Sequence, residues 1–186
     1  MATQTVTTLK GYFNTGDQPT EAQFGDLIDS CHFASDVVVQ TGTAAEDLTS
    51  VDRDTVWYAS TTQAGDITLP QATAANAGMK IKVLAGADWS TTAFKLGFAN
   101  GGSTVMFGQL HVAANNAQDA VETFVITNNA KALTIDADDV TGAGGAKGSQ
   151  YTFTYIQANL VHVEGFGKIT TGTVAPDAGA SVTAGI

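Results

Sequence analysis

The chain has 186 residues, of which 14% are charged, and its formal net charge at pH 7 is -10. Its eight lysines and arginines stand singly along the sequence, so no basic cluster can neutralise several phosphates; this excludes nucleic acid as a partner and disfavours an anionic membrane. Because few charges would have to be desolvated at a buried contact, the composition favours wide contacts between protein subunits.

A single cysteine, Cys31, excludes an intrachain disulfide and a thiolate metal cage. The N-terminal residues lack the basic and apolar regions of a secretory signal. The apolar runs are far shorter than the ~20 residues of a membrane span. We therefore expect a protein that is made in a cytoplasm-like compartment and has no segment within a membrane.

A short amphipathic helix is predicted near the N-terminus. Thr20 stands three residues before Gln23, the spacing of a capping box, and Glu21 falls in the first turn, where the helix dipole favours a negative charge. Tyr12 and Phe13 lie just upstream, where they can pack beside the helix. The apolar stripe, at the i, i+3, i+4 and i+7 spacing of one helix face, consists of Phe24, Leu27, Ile28 and Cys31.

From Asp36 onward, short β-branched or aromatic segments bounded by Gly, Asp or Pro recur at intervals of about 8 to 15 residues, which makes about ten strands. No alternation of strands and helices is present. The pattern therefore predicts a mainly β fold, a single antiparallel sandwich or barrel of the jelly-roll type. Asn100-Gly101-Gly102 predicts a hairpin that leads into the strand beginning at Val105.

Three segments are expected along the chain. Residues 1–35 form an N-terminal arm with the amphipathic helix, residues 36–169 form the β domain, and residues 170–186 form a tail rich in Gly, Ala and Thr. The tail has too few large apolar residues to pack on itself, so it is expected either to be disordered or to order as an arm against a neighbour.

Candidate catalytic and metal-binding residues are few. Cys31 and His32 are adjacent on the predicted helix and point about 100 degrees apart, so they do not form a nucleophile pair. His111 and His162 each lie mid-strand between apolar residues, which predicts that both face the solvent or an interface. Asp136–Asp139 fails the spacing of an EF-hand loop, and calcium binding there stays open.

No motif supports catalysis or a cofactor. In Gly142–Ser149, Lys147 is not preceded by glycine and is followed by Gly148, and no helix follows, so the segment is not a phosphate loop and is predicted to be a flexible hairpin tip. We therefore expect a protein that is not an enzyme and that holds neither cofactor nor metal. Trp57 lies inside an apolar strand and is predicted to be core. Trp89 follows Asp88 in a predicted loop and is the candidate platform for a carbohydrate ligand.

The segment GYFNTGDQPTEAQFGDLIDS, residues 11–30, resembles a module that recurs near the N-termini of virion and tail-fibre proteins of tailed bacteriophages. Residues 67–79, ITLPQATAANAGM, are similar to stretches of small β-rich phage proteins. The resemblance implies a non-enzymatic virion protein that is made in the bacterial cytoplasm.

Two placements follow from this resemblance. One is a head decoration (cement) protein on the capsid surface, commonly a homotrimer, whose partner is the major capsid protein or another virion subunit. The other is a tail fibre, spike or similar component that binds the host surface, for instance its carbohydrate. The short chain and the lack of an internal repeat favour the cement protein.

The predicted helix and its aromatic flank are the proposed docking element. A helix of three turns is marginal alone, so its apolar stripe must be buried somewhere. Packing on its own β domain and packing on a neighbouring subunit both stay open. The proposed docking residues are Tyr12, Phe13, Phe24, Leu27 and Ile28.

Overall fold

The computed structural model describes residues 6–13, 18–30, 36–40, 44–89, 94–99, 101–114, 121–135, 144–169 and 182–183. The chain divides into two compact units, Met1–Ser35 and Asp36–Ile186. Among the described residues, no helix is both long enough and apolar enough to cross a membrane.

The first unit contains two short helices, α1 (Val6–Gly11) and α2 (Glu21–Ser30). Helix α2 confirms the predicted helix, and both hydrogen bonds of the capping box at its N-terminus are formed. The Thr20 backbone N–H donates to Gln23 Oε1 at 2.8 Å, and the Gln23 backbone N–H donates to Thr20 Oγ1 at 3.3 Å. Helix α1 was not predicted, because its six residues are too few to show a helical period.

The second unit is built from β-strands, which confirms the mainly β prediction. The strands are β1 (Asp36–Gln40), β2 (Glu46–Asp47), β3 (Thr55–Ala59), β4 (Ile67–Leu69), β5 (Lys80–Ala85), β6 (Phe94–Phe98), β7 (Val105–Ala114), β8 (Val121–Ala130), β9 (Ala132–Ile135), β10 (Gln150–Gln157), β11 (Leu160–Ile169) and β12 (Val182–Thr183).

These strands form two sheets in a sandwich-like arrangement. The large sheet has seven strands in the order β1-β3-β5-β10-β11-β7-β8, and the small sheet has five in the order β12-β9-β6-β4-β2. The described strands do not close into a barrel. The antiparallel, jelly-roll-like prediction is wrong, because β1 with β3, β3 with β5, β7 with β11, β2 with β4 and β4 with β6 are parallel pairs.

Four of the five parallel pairs, all except β7 with β11, arise because the chain alternates between the two sheets from β1 to β6. Strands that are neighbours in one sheet are therefore separated by a strand of the other sheet, and they run in the same direction. The turn between Ala99 and Gly102, where the sequence predicted a hairpin, shows the consequence. It contains a backbone bond from Gly102 N–H to the Ala99 carbonyl at 3.0 Å, but it joins β6 of the small sheet to β7 of the large sheet. The predicted hairpin there is wrong.

The core lies between the two sheets and is rich in aromatic residues. On β10, alternate residues Tyr151, Phe153 and Tyr155 are fully buried, as the period of two requires. Trp57 on β3 is also fully buried, which confirms its predicted place. The two described residues of the C-terminal tail form β12, which pairs antiparallel with β9 of the same chain.

Candidate functional site: the outer face of the large sheet

The outer face of the large sheet, away from the core, carries both polar and aromatic side chains. On β11, Val161 and Val163 point into the core, so His162, Glu164 and Phe166 point outward. The same alternation on β10 sends Gln150, Thr152 and Thr154 outward.

Strand register arranges these side chains in three rows across the sheet. The central row consists of Lys82, Thr152, Glu164, Gln109 and Val125. The row on one side consists of Leu84, Gln150, Phe166, His111 and Thr123. The row on the other side consists of Lys80, Thr154, His162 and Phe107. Residues far apart in the chain thus become neighbours on one surface.

A groove of about 660 Å³ runs over this surface, and we call it the sheet groove. Its size falls within the ~300–1,000 Å³ that is typical of small-molecule sites. Its lining side chains and backbone come from Lys82, Phe107, Gly108, Gln109, His111, Val125, Ile126, Gln150, Thr152, His162, Glu164, Gly165 and Phe166.

The two histidines of the groove are held by different contacts. The ring of His162 packs against Phe107, with centroids 5.1 Å apart and an angle of 59° between the planes. His111 Nδ1 lies 3.0 Å from Thr123 Oγ1 and forms a hydrogen bond with it. Both rings lie on the outer face, which confirms the prediction that alternation turns them away from the core.

The polar groups of the sheet groove are mostly neutral. Its charged side chains are Lys82, which is half-buried, and Glu164, which is exposed. Between and beside them lie the amides of Gln109 and Gln150 and the hydroxyl of Thr152. Together they offer hydrogen-bond donors and acceptors on a rigid sheet. Within the described ranges, no group of three or more His, Cys, Asp or Glu side chains could hold a metal ion.

Two glycines keep the floor of the groove close-packed. Gly108 has a φ of 148°, and a Cβ there would overlap the carbonyl oxygen of Val163 on β11. A Cβ at Gly165 would lie 2.8 Å from Cδ1 of Tyr151 and 2.6 Å from the carbonyl oxygen of Gln150. Both positions therefore require glycine for the strands to approach this closely.

The predicted docking residues lie in the first unit. The rings of Phe13 and Phe24 meet edge to face, with centroids 6.0 Å apart and planes at 77°, and each side chain is 47% exposed. We call these two residues the aromatic pair. Tyr12 and Leu27 are half-buried, and the side chain of Ile28 lies outside the described set.

Trp89 is not the exposed platform that the sequence predicted. It lies outside the regular strands, as expected, but it is only 2% exposed. Its ring stacks on Tyr151 and meets Trp57 and Phe94 edge to face. Buried on every side, it cannot accept a sugar at the surface, so this prediction is wrong.

The glycine-rich segment before β10 is the reason for that burial. The carbonyl oxygen of Gly145 accepts a 2.9 Å hydrogen bond from the Trp89 backbone N–H, and Gly144–Ala146 are buried. The predicted hairpin tip is wrong, because β9 and β10 belong to different sheets and Gly144–Ala146 are packed in the interior. Cys31, His32 and Asp136–Asp139 lie outside the described residues.

The sheet groove itself was not predicted. Alternation along β10 and β11 identifies its outward side chains, but only the register between strands joins them to Lys82 and Gln109. Comparison with protein-family models, with curated proteins and with solved structures finds no significant match to this chain.

Proposed function

We propose that the chain is a non-enzymatic structural subunit of a tailed-bacteriophage virion, a decoration (cement) protein that binds the outside of the head shell and stabilises it. The observation that carries the proposal is the exposed aromatic pair, in which Phe24 on the capped helix α2 meets Phe13, which follows α1. Both residues of the pair lie within the segment that resembles the phage module.

The aromatic pair has the properties of a docking anchor. Phe and Trp side chains bury about 150–250 Å² each and dominate interface energetics. Here about half of each phenylalanine is exposed, and Phe24 lies on a helix whose first turn is held by reciprocal hydrogen bonds. A rigid aromatic anchor loses little conformational entropy on binding. The partner is the major capsid protein or another virion subunit, and the site of action is the capsid surface.

Exposed valines at opposite edges of the large sheet support a homotrimer. Val37 and Val39 lie on edge strand β1, and Val121 lies on edge strand β8; all three are 55% to 65% exposed. Contact between two different edges of identical subunits is heterologous, and such contacts form a closed ring when the rotation is right. Three subunits joined in this way would cover the exposed edge valines.

Stabilisation of the shell then follows from mass action. A subunit that binds only the assembled shell lowers the free energy of that state and opposes its disassembly. The net charge of -10 keeps free subunits from associating prematurely.

The test is co-sedimentation of the full-length protein with undecorated heads of the cognate phage. The wild-type protein is expected to bind and to raise the temperature at which the heads release their contents. Replacing both Phe13 and Phe24 by alanine is expected to weaken binding at least ~30-fold, the loss of an anchor worth about 2 kcal/mol.

The matched control is Lys10→Ala, at an exposed position of helix α1 in the same unit. It is expected to bind heads as the wild-type protein does. Failure of the wild-type protein to bind heads, or binding to purified tails instead, would overturn the cement function. Unchanged binding of the double variant would remove the aromatic pair from the docking role.

A further inference from the structure

We infer that the sheet groove binds a short, neutral oligosaccharide. This function goes beyond shell stabilisation and does not rest on it. It also differs from the sequence-based expectation of a sugar platform at Trp89, which is buried.

The backbone polar groups in the floor of the groove are already paired within the sheet, so a ligand must be recognised by side chains. Strands β5, β10, β11 and β7 each have a neighbour on both sides, so their backbone N–H and C=O groups are engaged in the sheet. A peptide that binds by adding a strand needs an open sheet edge, which the middle of this face does not offer. The ligand must therefore be one that side-chain amides, hydroxyls, imidazoles and a carboxylate can recognise.

The polar lining suits a ligand rich in hydroxyl groups. Each hydroxyl both donates and accepts, and the groove provides acceptors at Glu164 and both functions at Gln109 and Gln150. These three residues come from neighbouring strands, and Glu164 is directly paired with Gln109 in the register. A charged acceptor strengthens the hydrogen bonds that it receives from neutral hydroxyls.

Two phenylalanines give the groove apolar faces at its two sides. Phe166, 37% exposed, lies in one outer row, and Phe107, against His162, lies in the other. The C–H groups of a sugar ring carry a small positive charge and pack on the negative face of an aromatic ring. His162 and Phe166 are four residues apart on β11, which separates the two sides by ~13 Å. A short oligosaccharide can contact both.

Charge favours a neutral ligand. Lys82 and Glu164 balance each other within the groove, and the chain as a whole is acidic. A phosphorylated or sulfated ligand would meet one lysine at the cost of facing a carboxylate. Neutral sugars pay no such penalty.

The experiment combines a glycan array with solution measurements on the full-length protein. Neutral bacterial surface oligosaccharides, together with chitotriose and maltotriose, are the probes. At least one is expected to bind with a Kd between about 10 μM and 1 mM. Its addition is expected to shift the imidazole resonances of His111 and His162, which line the groove.

Variants localise the site. Glu164→Gln and Phe166→Ala change exposed side chains, and each is expected to weaken binding at least tenfold without moving the urea unfolding midpoint. Ile156→Thr, at an exposed position outside the groove, is the matched control and is expected to bind sugar normally. Both groove variants are expected to bind phage heads as the wild-type protein does.

Three results would overturn the inference. The first is no neutral oligosaccharide bound more tightly than about 10 mM. The second is binding that survives both groove substitutions. The third is binding confined to sulfated or phosphorylated glycans and lost at 0.5 M salt, because that would be charge attraction to lysines.

Discussion

Trp89 and Tyr151 stack with their ring centroids 6.4 Å apart and their planes at 30°. The stack joins Trp89, which lies between strands β5 and β6, to Tyr151 on β10, the central strand of the large sheet. The Tyr151 hydroxyl donates to the carbonyl oxygen of Gly144, so the same tyrosine also holds the glycine-rich segment that covers Trp89. This cluster explains why a tryptophan in a polar loop sequence is part of the core.

Removing the Trp89 ring is expected to destabilise the β unit strongly. Trp89→Ala should cost about 3–5 kcal/mol, because it leaves a cavity between Tyr151 and Phe94. Trp89→Phe should cost less than half as much. It keeps most of the packing and removes the buried Nε1–H, which has no hydrogen-bond partner within the described residues. Urea unfolding followed by circular dichroism measures both; equal losses would contradict the packing described.

Loss of the Tyr155 hydroxyl is expected to leave a buried carbonyl without its partner. This hydroxyl donates to the Pro70 carbonyl oxygen at 3.0 Å. Tyr155→Phe should therefore lower the free energy of unfolding by about 1–3 kcal/mol. Tyr58→Phe, on the partly exposed outer face, is the control and should change it by less than about 0.5 kcal/mol. If the two variants behave alike in urea unfolding, the hydrogen bond is not stabilising.

Alkaline pH is expected to weaken the fold through its buried tyrosines. Burial raises the pKa of Tyr151 and of Tyr155 well above the ordinary value near 10. Above pH ~10 the unfolded chain loses these protons while the native protein keeps them, so stability is complete below that pH and falls above it. The expected slope is about 1.4 kcal/mol per pH unit for each tyrosine.

The measurement is urea unfolding between pH 8 and pH 11.5 for the wild-type protein and for Tyr155→Phe. The variant should lose stability more gradually above pH ~10, because one of the two buried phenols is gone. A wild-type stability that stays constant to pH 11.5 would show that the tyrosines are accessible to water in the native state.

A side chain at Gly108 is expected to disrupt the contact between β7 and β11. Gly108→Ala would place a Cβ on the carbonyl oxygen of Val163 at a φ of 148°, which L residues rarely adopt. We expect a loss of more than about 2 kcal/mol. Gly101→Ala, where a Cβ meets nothing within 4 Å, is the control. Thermal unfolding of both variants tests this, and a Gly108→Ala protein as stable as the control would contradict it.

The sequence by itself determined the local features of this protein. The cap of helix α2 is formed by Thr20 and Gln23, which are three residues apart. Both partners of its hydrogen bonds therefore lie within one short stretch of the sequence. The outward position of His111 and His162 depends only on the period of two along a strand. Trp57 was predicted as core because it lies inside a short apolar strand, which is also a local pattern.

The tertiary structure decided the rest. Whether consecutive strands pair depends on which sheet each one joins, and here the chain alternates between sheets, which turned predicted antiparallel neighbours into parallel ones. The burial of Trp89 depends on Gly145, far along the chain, and the sheet groove depends on the register that sets Glu164 beside Gln109. Such contacts form because apolar faces must be covered by one another, and short patterns in the sequence do not specify which face covers which.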